Sequence, residues 1–297
     1  MKYGILGSGF AIYGWLSAIF KENDKNKVFT LEKYKSKILS RIELKKCLKI
    51  ITFVKNEKEI FEKSKAIIIA KRPLDQEYFL KKLIKYKNKK LLILEKPIAR
   101  NPKLSLDLLK ILKKKKLKIK FSLPFEKTNW NIKLKKQIKD KNFRSANIIW
   151  NFKSKFNKKK SWKNNTKEGG GILRFYFIHF FYFICNLGKK IQVKKYILKN
   201  NEFSISFEID KSKIINICIN KNSKERFSVI IKNKKTNKYN YLNPFERKQV
   251  EKKEDIRVKY LLLILKDKKN YYTNMLKGTK LWAETEKIIS KNFNILN

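Results

Sequence analysis

Cysteine, histidine and arginine are all scarce in this 297-residue chain. Its three cysteines, Cys47, Cys185 and Cys218, are odd in number, far apart and free of any C-x-x-C spacing. That argues against a disulfide framework and a structural zinc site, and it fits a reducing cytoplasm. Only eight of the 75 basic residues are arginine, the residue favoured for bidentate phosphate and base contacts. The formal charge of +50 is carried by lysines spread along the whole chain. Lysine, asparagine, isoleucine and phenylalanine all have A/T-rich codons, so composition drift accounts for the bias without a dedicated nucleic-acid partner. The charge still predicts adhesion to polyanions at low salt. Long apolar runs are missing too. The most apolar window, Ile172–Leu187, contains Arg174, His179 and Asn186 and is too short to span a bilayer. The stretch Met1–Gly7 lacks the basic region, apolar core and cleavage site of a secretory signal. A soluble, cytoplasmic protein without membrane insertion is expected.

A hydrophobic fraction of 42% supports a sizeable core, and the length suits one large domain or two medium ones. From residue 3 to residue 123, six apolar runs alternate with helical patterns. They are Tyr3–Leu6, Val28–Leu31, Ile50–Val54, Ala66–Ala70, Lys90–Leu94 and Leu117–Leu123. Helices are expected over Phe10–Phe20, Lys58–Lys63, Asp75–Lys87 and from Asn101-Pro102 to Lys115. Such alternation predicts a Rossmann-type, doubly wound parallel sheet. After Pro124 the rhythm changes. A strand over Ala146–Phe152, a helix over Ile172–Asn186 and strands over 191–198, 203–209, 214–220 and 227–232 predict an α+β domain with an open, mainly antiparallel sheet. Helices over Asp255–Lys266 and Lys280–Lys291 end the chain. The expected division is 1–122 and 123–297, with the last helix free to pack back on the first domain.

Gly7-Ser8-Gly9 follows the first strand and opens the first helix. In that context a G-x-G loop lets the backbone approach a pyrophosphate at a helix N-terminus. Gly7, Ser8, Gly9, Phe10 and Ala11 are therefore candidate cofactor contacts, although Ile12 stands at the third fingerprint position, where Gly or Ala is usual. Glu32 ends the second strand, where an acid would hydrogen-bond the adenosine ribose and favour NAD over NADP; Lys33 and Lys35 blunt that preference. Ala70, Lys71, Arg72 and Pro73 end the fourth strand and would lie over the cofactor. Glu95-Lys96-Pro97 closes the fifth. The only histidine, His179, comes eight residues after the last glycine of Gly169-Gly170-Gly171. Hydride transfer from a secondary alcohol to a nicotinamide needs the hydroxyl proton removed. A histidine suits that task, and a lysine beside it would stabilise the developing alkoxide.

In this order and spacing, Gly7-Ser8-Gly9, Glu95-Lys96-Pro97, Trp162-Lys163, the triple glycine and His179 resemble the glucose-fructose oxidoreductase / inositol dehydrogenase (Gfo/Idh/MocA) family over essentially the full chain. The resemblance implies that Lys96 contacts nicotinamide and the substrate hydroxyl and that His179 is the general acid/base. It also implies NAD or NADP as cofactor, a sugar, sugar nucleotide or cyclitol as substrate, and a homodimer or homotetramer. Members often carry aspartates four residues before and three after this histidine; here those positions are Phe175 and Tyr182. A phenylalanine at 175 cannot orient the imidazole by hydrogen bonding. Phe177 stands where a small residue is usual and would narrow the pocket. Trp162, Arg174, Tyr176 and Tyr182 are candidate substrate contacts, the last three as substitutes for the missing carboxylate. The alternatives are a dinucleotide-binding or regulatory protein that has lost catalysis, and, on charge alone, a polyanion-binding accessory protein.

Overall fold

The computed structural model describes residues 1–85, 89–154, 161–233, 236–241 and 255–292. Two compact units are present. Met1–Ala99, Leu104–Pro124 and the described part of Phe245–Tyr272 make the first; Arg100–Lys103 and the described parts of Phe125–Pro244 and Thr273–Asn297 make the second.

In the first unit, β1 (Lys2–Leu6) leads through the glycine loop into a π-helical turn, Ala11–Leu16, and α1 (Ser17–Glu22). β2 (Lys27–Leu31), α2 (Lys35–Leu39), β3 (Ile51–Val54), α3 (Glu57–Lys63), β4 (Ala66–Ile69), α4 (Pro73–Leu83), β5 (Leu91–Glu95), α5 (Pro102–Lys114) and β6 (Ile119–Ser122) follow. The strands pair in parallel in the order β3-β2-β1-β4-β5-β6. All four residues of β4 are buried, which is why its sequence shows no alternation: helices cover both faces of the sheet. Strand order reverses between β1 and β4, the place where open α/β sheets bind ligands. Local signals start the helices. The Asn56 side chain accepts the Glu59 N–H at 3.0 Å to cap α3, and Pro73 occupies the first turn of α4. The expected helix 75–87 begins two residues earlier and runs to Leu83; residues 86–88 lie outside the described ones. A 3₁₀ segment, Ile42–Ile50, was not foreseen; it buries Leu44, Cys47 and Ile50 at the three-residue spacing of that helix type.

The second unit contains α6 (Asn129–Gln137), β7 (Ser145–Lys153), a π-helical turn Ile172–Phe177 running into α7 (Ile178–Ile184), and β8 (Ile191–Leu198), β9 (Glu202–Ile209), β10 (Lys213–Asn220), β11 (Asn222–Lys232) and β12 (Thr236–Tyr241). Sheet order is β12-β11-β7-β10-β9-β8, with β7 and β10 parallel and every other pairing antiparallel. β7 buries Ala146, Ile148, Trp150 and Phe152 in alternation, the pattern of a sheet covered on one face. Every residue of α7 is buried. α6 and β12 escape a periodicity reading, because lysine and asparagine dominate both.

Two helices complete the chain, α8 (Val258–Lys266) and α9 (Tyr272–Asn292). α8 belongs to the first unit, while Thr273 onward belongs to the second. Val258, Leu261 and Ile264 put the apolar face of α8 into the core with Ala11, Trp15 and Ile19. Burying three such side chains contributes roughly 1.5–3 kcal/mol each. The buried Lys120 of β6 donates to the carbonyls of Ile264 (3.1 Å), Leu265 (3.2 Å) and Asp267, closing the C-terminus of α8 with a cation.

Candidate functional site

Gly7 sits at the end of β1 with φ +137°. A Cβ there would lie 2.2 Å from the carbonyl oxygen of Ala70, at the end of β4, and 3.1 Å from the Cβ of Ala11. No side chain fits, so the loop hugs the point where strand order reverses. The Gly9 carbonyl accepts the N–H groups of Ile12 (2.9 Å) and Tyr13 (3.1 Å), while a Cβ on Gly9 would meet nothing within 4 Å. Open space therefore lies before a backbone turn at a helix start, the cradle a pyrophosphate needs. Ile12 is a core residue, and Ala11 is the small neighbour that permits the close packing. Ser8 is exposed and Phe10 half-buried; Glu32 is exposed at the end of β2. The two cations after β4 already have partners. Lys71 pairs with Glu57 and lies 5.1 Å from the Phe79 ring centroid. Arg72 binds Asp75 through Nε (2.7 Å) and Nη2 (3.1 Å), and Pro73 is buried in α4.

The Glu95–Pro97 turn is held from three sides. Gln76 Nε2 donates to the carbonyls of Glu95 (2.7 Å) and Pro97 (3.0 Å), and the Lys96–Pro97 peptide is cis. Trp15 Nε1 (3.0 Å) and Ser122 Oγ (2.7 Å) both donate to Glu95 Oε1. Burial pushes the Glu95 carboxyl up despite Lys96, these two donors and Arg257, all of which favour its charged form. Burial also brings the partly exposed Lys96 down to about 8; Glu95 opposes that shift and Arg257 adds to it. An amine so placed can take up and release a proton near neutral pH.

Arg257 was not foreseen. Its Nε (2.8 Å) and Nη2 (2.7 Å) donate to the two oxygens of buried Asp255, and its guanidinium lies 4.0 Å from the Phe10 ring centroid. Nη2 also reaches the Tyr13 hydroxyl at 3.5 Å. Its one sequence signal was rarity, as one of eight arginines in a chain that otherwise uses lysine.

In the second unit, Gly170 allows the triple-glycine loop to close on itself, since a Cβ there would be 2.0 Å from the Trp162 carbonyl oxygen. Trp162 meets Phe175 edge-on at 5.2 Å, and the Lys163 ammonium lies 5.3 Å from the Phe175 ring. Position 175 thus builds an aromatic and cationic cluster in place of a carboxylate. His179 is 6% exposed, with its imidazole stacked on Phe125 at 4.1 Å and 22°. Phe177 does not narrow a pocket: it points into the core against Phe203 (4.7 Å) and Phe181 (4.9 Å). Tyr176 is buried, its hydroxyl 3.0 Å from Ser154 Oγ. Tyr182 is buried against Gly278, with its hydroxyl 3.5 Å from Thr279 Oγ1. Arg174 binds Glu286 in bidentate fashion (2.7 and 2.8 Å) and donates to the Thr166 carbonyl (2.8 Å). Arg174 and Tyr182 both have side-chain partners within the second unit. Asn131, also missed, is fully buried, and its side-chain amide has no hydrogen-bond partner among the described residues. Among those residues, no helix is long and apolar enough to cross a membrane, and no cluster of three or more His, Cys, Asp or Glu could hold a metal.

No protein-family model and no curated protein matches the sequence. Solved structures do match it along nearly its whole length. A dehydrogenase (MviM) from Clostridium difficile shares 17% identity at a TM-score of 0.70, over 98% of this chain and 99% of that one. The fold is that of the Gfo/Idh/MocA dehydrogenases. The WlbA (WbpB) dehydrogenase from Thermus thermophilus, in complex with NAD and α-ketoglutarate, superposes at 0.69 with 12% identity, over 95% and 93%. The super-repressor mutant of Gal80p from Saccharomyces cerevisiae superposes at 0.67 with 11% identity, over 97% and 95%. At such identities the likeness establishes the fold, and function has to be argued from the site. Within this Gfo/Idh/MocA fold, the first unit's motif residues gather at the carboxyl ends of β1, β4 and β5. Those of the second unit lie along residues 162–182.

Proposed function

We propose that the protein is an NAD(P)-dependent oxidoreductase that moves a hydride between the nicotinamide and a hydroxyl or carbonyl of a sugar, sugar nucleotide or cyclitol. The observation that carries this reading is the end of the parallel sheet. There a side-chain-free glycine cradle and a lysine with its pKa brought down to about 8 flank the reversal of strand order. The open space before Gly9 and the lack of room at Gly7 fit a dinucleotide. Gly7, Ser8, Gly9, Phe10 and Ala11 would seat its pyrophosphate, Glu32 its adenosine ribose, and Ala70, Lys71, Arg72 and Pro73 its covering loop; Glu95 and Lys96 would adjoin the nicotinamide. Glu32 favours NAD, by repelling a 2′-phosphate. The bound nicotinamide supplies the hydride acceptor or donor. Lys96 hydrogen-bonds the substrate oxygen and takes or gives its proton, with Glu95 fixing the turn from below. His179 serves as a further general acid/base in the second unit, and Trp162 and Tyr176 line the substrate. The half-buried face of the second sheet, with Asn147, Ile149, Asn216 and Cys218, joins copies into a homodimer or homotetramer.

NADH titrated into the protein at micromolar concentration should change the nicotinamide fluorescence. Lys96→Ala should abolish turnover of the responsive polyol or sugar while leaving that binding nearly intact. An unchanged NADH signal in the wild type would overturn the reading. Phe175 in place of a carboxylate, together with Gal80p among the fold matches, favours a second reading: a dinucleotide-binding regulator without catalysis. Tight NADH binding with no turnover across a broad panel of sugars, sugar nucleotides and cyclitols would select it.

A further inference from the structure

α9 carries two stripes at helical period, and the fold fully covers one of them. Met275, Trp282 and Ile289 make the covered stripe. Leu281, Glu284, Ile288 and Lys291 make the other, which lines an open groove of about 680 Å³ together with β8. The described sheet ends at β8. Ile191 and Val193 stand opposite the fully buried Ile209 and Phe207 of β9, so they share the covered face of the sheet, yet they are only half-buried. The floor of the groove is therefore aliphatic: Ile191, Val193, Leu281 and Ile288, the last 37% exposed. Its rim is basic, with Lys194 on the strand and Lys287 and Lys291 one turn apart on the helix, against a single acid, Glu284. Neither Lys287 nor Lys291 is in an ion pair among the described residues. Lys194 reaches Glu208 at 3.5 Å with its side chain 51% exposed, a pairing worth little in water. The helical wall is held in place from its inner side, where Glu286 binds Arg174.

We propose that this groove is a docking site for a short acidic amphipathic helix of a partner protein. The occupant follows from three features. First, an added strand is blocked. The ladder passes from Val193 opposite Phe207 to Lys195 opposite Ser206, leaving Lys194 as a bulge, and a bulge carrying lysine blunts a sheet edge against further pairing. Second, a groove with an exposed isoleucine along its length does not enclose a small molecule as small-molecule sites do. From Leu281 to Lys291 the helical wall runs about 15 Å, room for two to three turns of a facing helix. Third, the charge on the rim selects the partner. A second copy would set the same three lysines, in a chain of formal charge +50, against a surface of like sign. An acidic helix instead places apolar residues at i, i+3 or i+4 and i+7 between Val193 and Ile288, while carboxylates on its flanks meet Lys194 on one side and Lys287 and Lys291 on the other. Glu284 repels an acid placed midway, which keeps the partner's charges on its flanks. None of the residues assigned to the dinucleotide or the substrate lines the groove, so the proposal stands apart from the hydride chemistry.

The probe is a fluorescein-labelled, lactam-stapled helix of about three turns, with leucines along one stripe and glutamates on both flanks, followed by anisotropy with the full chain. Binding should saturate at about 150 mM salt, where long-range attraction is largely screened. Ile288→Glu, and separately the pair Lys287→Glu with Lys291→Glu, should each weaken it at least about tenfold. Glu284→Lys should tighten it severalfold. The pair Lys45→Glu with Lys46→Glu, in the 3₁₀ segment of the first unit, makes the same change of charge away from the groove and should leave the affinity within about twofold. Every position changed is exposed, so the variants should melt with the wild type, and matched melting curves check that. An equal loss from the Lys45 and Lys46 pair, or displacement of the probe by polyglutamate of equal charge, would mean adhesion to the whole basic surface. Equal affinity for the same helix with lysine flanks would mean that charge plays no part. Displacement by sodium dodecanoate would assign the groove to a small amphiphile. Each of these results, like a wild type that does not bind the probe, overturns the proposal.

Discussion

Replacing Arg174 by methionine decides whether this residue is a clamp or a substrate grip. Its guanidinium makes three charge-assisted bonds: two to Glu286, at 2.7 and 2.8 Å, and one to the Thr166 carbonyl, at 2.8 Å. The two side chains are only 12% and 10% exposed, so solvent screening recovers little of the loss. Methionine keeps most of the apolar stem but strands the Glu286 carboxylate, which retains the Trp282 indole N–H at 2.8 Å. Removing one partner of a buried ion pair costs about 3–5 kcal/mol. The surviving indole donor places the expected loss at the lower end, about 3 kcal/mol. With a urea dependence of about 2 kcal/mol per molar, the unfolding midpoint should drop by about 1.5 M. The double variant Arg174→Met, Glu286→Gln should cost far less than the sum of the two single changes, giving a coupling of about 1–3 kcal/mol. A loss below about 1 kcal/mol, as for an exposed pair, would refute the clamp. An unchanged midpoint with abolished turnover would instead return Arg174 to the substrate.

Three further outcomes follow from single contacts. Glu95→Gln keeps an Oε1 acceptor for Trp15 and Ser122 while deleting a buried charge. Because the folded Glu95 carboxyl is raised above its unfolded value of about 4.3, its contribution to stability is full below that value and fades as pH rises through the folded pKa. Melting curves should therefore nearly coincide below about pH 4 and separate in favour of the glutamine variant toward pH 8; a variant less stable at pH 8 would contradict the assigned direction. Gly7→Ala forces a Cβ to within 2.2 Å of the Ala70 carbonyl oxygen at positive φ, so the loop must shift. NADH affinity should fall at least about tenfold, which is 1.4 kcal/mol, with the circular dichroism spectrum preserved; unchanged affinity would mean that the glycine loop is not the cradle. Gly278→Ala presses a Cβ to 2.2 Å from the Tyr182 ring and should cost about 1–3 kcal/mol by overpacking. That cost should shrink when Tyr182→Leu is combined with it, and a cost independent of residue 182 would place the strain elsewhere.

Local pattern was enough for the architecture. The unbroken apolar run of β4, the alternation of β7 and the proline and asparagine starts of α4 and α3 are each decided within a few residues, because strand and helix periods repeat over that range. The glycine loop and the Glu95-Lys96-Pro97 turn were legible for the same reason: each is a short segment whose residue types suit one backbone shape at a strand end. Polar segments were not, and α6 and β12 show why, since a lysine-rich face can be helix, strand or loop until something packs behind it. What tertiary structure alone decided is the pairing of charges and rings across long separations. Arg174 finds Glu286 across 112 positions and Arg257 finds Tyr13 across 244, and nothing near either arginine in the chain announces its partner. Phe177 and His179, two residues apart on one helix, part company likewise: one ring enters the sheet core and the other stacks on Phe125. Residue type and spacing set which groups could do chemistry. The burial and partners that tune a charge, as at Lys96, or consume it, as at Arg174, come from chain segments that only folding brings together.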